Sequence, residues 1–171
     1  MLQKFAASSS LDVKYSAIQA LIQNKQALDP LAVEKLATDH YYRVSLYSSL
    51  KEDGRLNLFP ARFHNQKSIA ESELFSIAAD DGEPSKMEAI GERVLPYRGK
   101  RMKFYLFKVT YDYEGGSKET YLGVAGPFDI SSKEIKTETE ATGLVSELYN
   151  AKKTDQQLKD YLAEMEEYEA E

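Results

Sequence analysis

The chain has no cysteine and only two histidines in 171 residues. Without thiols there is no disulfide, no thiolate metal site and no cysteine nucleophile, and such usage fits a reducing compartment. His40 and His64 form no HExxH or other close ligand pair, so neither is expected to hold a metal; His40 reads as a helix-entrance residue and His64 as a loop residue. No GxSxG elbow presents a serine. No apolar run is long enough to span a bilayer, and the N-terminus "MLQKFAASSSLDVK" breaks into serines before a signal-peptide core can form. These absences lead us to expect a soluble, cytoplasmic chain without catalytic residues, cofactors or bound metal.

Positive charge is also short. Lysine and arginine number 22 against 28 acids, a net charge of −6, and residues 151–171 hold three lysines against seven acids. An acidic chain grips phosphate backbones poorly unless its cations gather. The densest cationic stretch is Arg93, Arg98, Lys100, Arg101 and Lys103, interleaved with Tyr97, Phe104 and Tyr105. Single-stranded nucleic-acid binders use this mixture, but so do hairpin tips that protect a sheet edge. The expectation is that the patch meets the acidic tail, within one chain or between two. "DDGE" at 80–83 lacks the alternating carboxylates of an EF-hand loop and reads as a solvated turn.

At 42% apolar residues the chain can bury a core. Residues 11–24, "LDVKYSAIQALIQN", overlay residues 40–53, "HYYRVSLYSSLKED", at an offset of 29: Lys14 falls on Arg43, Ser16 on Ser45 and Leu21 on Leu50. Between them Asp29 is a natural N-cap, Pro30 suits the first helical position, and Leu28 can staple onto Val33. Helices at short intervals, alternate ones opening near a basic residue, resemble the HEAT family of armadillo-type repeats over the first third of the chain. The resemblance rests on Lys14, Arg43, Leu21 and Leu50, and the repeat is shorter than the ~40–47 residues common in that family. It implies stacked helix pairs offering a concave surface. About three pairs are normally needed for stability, so the rest of the chain or a preceding stretch is expected to cover the end.

After Gly54 and Pro60 punctuate a loop, Asn65 opens a further helix through Ile69, Ala70, Leu74, Ile77 and Ala78. Three strands follow, "MEAIGERVLPY", "RMKFYLFKVTYDY" and "KETYLGVAGPF", joined through "RGK" and "EGGS". Alternation puts Tyr105, Phe107, Val109, Tyr111 and Tyr113 on one face, buried for its whole length, with Gly123 a gap for an aromatic ring of the adjacent strand. "TYLGVAGPFD" has two glycines and a proline but no following helix N-terminus, so it reads as a strand ending in a bulge, not a phosphate loop. The last 40 residues read as helical, most clearly from Thr154, where Thr154 and Gln157 suit a capping box and Leu158, Tyr161, Leu162, Met165 and Tyr168 form one stripe.

The expected architecture is α+β: HEAT-like helices over 1–79, an antiparallel β-meander packed on them over 80–130, and an acidic helical tail over 131–171. The expected function is a non-catalytic protein-interaction or scaffold module, with a protein partner or self-association. Tyr41, Tyr42 and Arg43 on the helical part and Leu158, Leu162 and Met165 on the tail are its candidate partner-binding residues. The alternatives are a small-ligand sensor at the sheet mouth near Gly123 and Gly126, and a nucleic-acid contact through Arg98 to Lys103.

Overall fold

Ser10, Asp29 and Asp39 each start a helix in the computed structural model, which describes residues 2–168. The Asp81 side chain, in the "DDGE" turn, and the last tail acids, Glu169 and Glu171, lie outside the described residues. The chain divides into two compact units, Met1–Ser72 and Glu73–Glu171. The division falls inside a helix, seven residues before the boundary expected at 79.

The first unit contains α1 (Leu2–Ala6), α2 (Leu11–Gln23), α3 (Pro30–Thr38) and α4 (His40–Glu52), two short 3-10 turns, and the start of α5 (Gln66–Ala78). Asp29 accepts from the Leu31 N–H at 3.1 Å, with Pro30 following where its missing N–H costs nothing. Asp39 accepts from the Tyr41 N–H at 2.9 Å and is the only residue between α3 and α4. Asn65 starts α5 in the same way, accepting from the Ser68 N–H at 3.0 Å. The apolar stripes of these helices make the core: Ile18, Leu21, Leu36, Leu46, Leu50 and Ile69 are fully buried.

Buried polar residues recur through this unit at the sequence interval of 29. Lys14, Arg43 and Ser72 are 4%, 2% and 0% exposed. Lys14 Nζ donates to the Ala6 carbonyl at 2.7 Å, at the end of α1. Arg43 Nε donates to the Ala37 carbonyl at 2.7 Å and Nη2 to that of Thr38 at 3.2 Å, at the end of α3. The last carbonyls of a helix have no partner within it, and a buried cation is a strong way to satisfy them. Ser72 donates to the His40 carbonyl and accepts from the Val44 N–H at 2.8 Å, tying α5 to α4.

The second unit is a four-stranded antiparallel sheet in the order β1 (Lys86–Tyr97), β2 (Lys100–Asp112), β3 (Lys118–Asp129), β4 (Gly143–Leu148), followed by α6 (Thr154–Tyr168). The first three strands lie where alternation and turn residues place them. Phe104, Leu106, Leu122, Val124 and Val145 form a core with Leu158, Tyr161 and Leu162 of α6. Gly123 of β3 is approached by Leu74 of α5 and by Val109 of β2, and the Tyr111 hydroxyl donates to the Ala78 carbonyl at 2.7 Å. Both faces of the middle strands are therefore covered, which is why residues 104–107 and 122–128 are buried without interruption. Tyr111→Phe is expected to cost about 1–2 kcal/mol, one buried hydrogen bond. Urea unfolding reads it as a lower midpoint at unchanged slope; an unmoved midpoint would show that the bond contributes nothing.

Four expectations need correction. Residues 143–148, read as helical, are a strand, because β3 offers a free edge that pairs Gly123 with Leu144 and Val124 with Gly143. Gly143 has no side chain where the Tyr161 hydroxyl approaches, 2.7 Å from the position a Cβ would take. Gly123 makes room for Leu74, not for a neighbouring aromatic ring. The ring face of β2 is not buried throughout, since Tyr113 is 46% exposed just past the strand. Gln157 does not close a capping box with Thr154: it accepts from the Asn150 N–H at 3.0 Å and donates to the Leu148 carbonyl at 2.9 Å, joining α6 to the end of β4.

Candidate functional site

Each residue expected to meet a partner has a definite place. Tyr41 is 52% exposed and stands edge-on to Tyr42, ring centroids 5.3 Å apart. Tyr42 is half-buried, lies 5.1 Å from the Tyr15 ring of α2, and donates its hydroxyl to Asp12. Burial, then the Asp12 hydrogen bond, push the Tyr42 hydroxyl well above the usual phenol range. Arg43 is turned inward onto α3 and α5, so its guanidinium is not presented at the surface.

Leu158 and Leu162 are 1% and 6% exposed in the core against the sheet, and Met165 packs at its margin. The apolar stripe of α6 is covered by the chain's own strands as far as Met165, while Tyr168 is 82% exposed. Burial pushes the Tyr161 hydroxyl in that core up to about 12.

The structure brings the hairpin cations to the tail acids. Arg93 Nε lies 2.8 Å from Asp155 Oδ1, the Arg98 N–H donates to Glu166 Oε1 at 3.1 Å, and Arg98 Nη1 is 3.8 Å from Glu140. Lys103 pairs with Glu92 at 3.3 Å, so Arg93, Arg98 and Lys103 are each shared with acids of the same unit. A hollow of about 300 Å³ beside the Arg93–Asp155 pair is lined by Ile90, Leu106, Tyr149 and Lys152.

The two glycines of "TYLGVAGPFD" are closely approached by neighbouring side chains. A Cβ on Gly123 would lie 2.6 Å from Leu74 Cδ2, and one on Gly126 would lie 2.7 Å from the Phe104 ring. Gly126 and Pro127 sit in a bulge where the pairing of β2 with β3 shifts between Lys103 and Tyr105, and the strand then continues to Asp129. His40 Nε2 lies 3.6 Å from Glu71, while His64 packs on the Tyr47 and Phe59 rings. Burial would raise the Glu71 carboxyl, but His40 and Arg43 hold it below the usual range. Among the described residues no three His, Asp or Glu side chains gather as metal ligands, and no helix is long and apolar enough to cross a membrane.

Two features escaped the sequence. A groove of about 340 Å³ between α1 and α2 is lined by Leu2, Phe5, Asp12, Val13, Ser16 and Ala17, with Phe5 46% and Val13 41% exposed. Asp12 joins it to Tyr42 and, through Tyr42, to Tyr41. The other is Glu73, 7% exposed, with one carboxylate oxygen buried and unpartnered. Its signal was available, because Glu73 follows Ile69 by one helical turn and so lies on the stripe that α5 buries.

These elements define an α+β protein: helices, a four-stranded antiparallel sheet, then a C-terminal helix. The chain matches no protein-family model, no curated protein and no solved structure.

Proposed function

We propose that this chain is a non-catalytic protein-binding module whose contact surface is the α1–α2 groove with its Asp12–Tyr42–Tyr41 rim. The observation that carries the reading is the exposure of Phe5 and Val13 in a concave apolar site beside a carboxylate and two aromatic rings. Concave apolar surface supplies binding energy, and rigid aromatics contribute area at low entropic cost. The occupant that fits is an amphipathic helix of a protein partner, its apolar face in the groove and one lysine or arginine against Asp12 and the Tyr41 ring. The HEAT-like reading of the first unit agrees with Lys14 and Arg43, one repeat apart, each closing the end of the helix before it.

The test is a photo-crosslinking residue at position 13 of the full chain, with position 114 on the β2–β3 hairpin as control. The crosslinked peptide is expected to be an amphipathic helix bearing a basic residue. Its yield should fall at least tenfold in Asp12→Lys, checked as folded by circular dichroism. Crosslinking at position 13 no stronger than at 114, or unmoved by Asp12→Lys, would remove this surface from consideration.

A further inference from the structure

The second unit contains a buried carboxyl group that no binding role requires. Glu73 lies on α5 and reaches the connector, residues 130–142, that carries the chain from β3 to β4. Its Oε1 accepts from the Thr139 N–H at 2.8 Å, and the Thr142 hydroxyl is also hydrogen-bonded to the carboxyl. Thr142 Oγ1 in turn shares a hydrogen bond with Thr139 Oγ1 and accepts from the Gly126 N–H at 3.3 Å, while the Ala141 N–H donates to the Gly126 carbonyl at 3.1 Å. One carboxyl group therefore joins α5, the connector and the bulge of β3. Its second oxygen, Oε2, is buried without a partner.

An ionised carboxylate in this position loses the hydration of a full charge, with one oxygen left without a partner, whereas the neutral acid loses far less. Among the described residues the charge that acts on Glu73 is the Glu138 carboxylate of the connector, which further disfavours ionisation. Thr139 and Thr142 face it with neutral groups, and its neighbours on α5, Ser72 and Leu74, are uncharged. Glu71, two residues earlier, is engaged by Arg43 and His40.

We propose that Glu73 is an acid-sensitive latch: protonated, it keeps the β3–β4 connector closed on α5, and ionised, it favours release of the connector into water. Burial, more than the two threonine donors can offset, raises its carboxyl from 4.5 to about 7 in the closed form. A group whose closed-state pKa is the higher one stabilises the closed form fully below 4.5 and loses that contribution as pH rises through 7. Opening should therefore become easier across that window, by up to about tenfold per pH unit, and level off above it.

Amide hydrogen exchange of the full chain between pH 5 and 8.5, corrected for the intrinsic exchange rate at each pH, reads this segment by segment. Opening of residues 130–142 is expected to rise at least tenfold between pH 5 and 7.5, while amides of the β1–β2 hairpin show a much smaller change. In Glu73→Gln, which cannot ionise, the connector should show a flat profile. As a measurement independent of that variant's folding, the 13C shift of the wild-type Glu73 carboxyl should titrate near neutrality. A carboxyl that titrates near 4.5, or connector opening that follows pH equally in wild type and Glu73→Gln, would overturn the proposal.

Discussion

Arg43→Ala is expected to destabilise the chain by about 3–5 kcal/mol, the range for removing one partner of a buried ionic network. Arg43 Nη1 bonds the Ser68 carbonyl and Glu71 Oε2, each at 3.0 Å, in addition to the bonds that Nε and Nη2 make at the end of α3. Its guanidinium carbon also lies 4.5 Å over the Phe63 ring. Alanine would strand the buried Ala37 carbonyl at the end of α3 and take from Glu71, only 23% exposed, the guanidinium 3.0 Å away. Arg43→Lys should recover only part of the loss, since one ammonium cannot span the planar fork's partners. Urea unfolding of the three proteins measures this. A loss under about 1 kcal/mol in Arg43→Ala would mean that water replaces the guanidinium and that its buried bonds contribute little.

The second large effect is expected at Gly126. Its φ of +149° is one that side-chain-bearing residues rarely adopt, and a Cβ there would lie 2.9 Å from the Lys103 carbonyl oxygen as well as against Phe104. Backbone strain of about 1–3 kcal/mol and overpacking of about 1–3 kcal/mol act together, so Gly126→Ala should lose roughly 3 kcal/mol or more. Gly123→Ala is the informative contrast. Its φ is ordinary, and its closest neighbours, Leu74 Cδ2 at 2.6 Å and Val109 Cγ2 at 3.0 Å, are side-chain ends that can shift. A smaller loss is expected there. Thermal or urea unfolding of both variants decides it: equal losses would show that packing alone, without backbone conformation, accounts for Gly126.

Elements with a strong local code were legible. β1 to β3 announce themselves by alternation between turn residues, and α3 by Asp29 followed by Pro30. The helical stripe of α6 was equally clear, but periodicity says only that a face is buried, not what buries it. Leu158 and Leu162 therefore read as a partner surface until the sheet was seen to cover them. Arg43 misled for a related reason: a cation near a helix start is usually solvated, and only the end of α3 beside it makes burial favourable. The α1–α2 groove was invisible because its lining comes from two helices whose packing no spacing rule sets.

What the sequence determined by itself is the succession of elements: helices opened by Ser, Asp and Asn caps, then three strands separated by glycine turns. These depend on interactions among residues a few positions apart, which any single sequence displays. Tertiary structure alone decided that residues 143–148 become a strand, that Leu74 fills the space at Gly123, and that Glu73 is buried against the connector. In each case the deciding partner lies 19 or more residues away, an open strand edge, a missing Cβ or a distant threonine. Free energy gained across such distances is set by which surfaces meet, and a short segment has no means of specifying that.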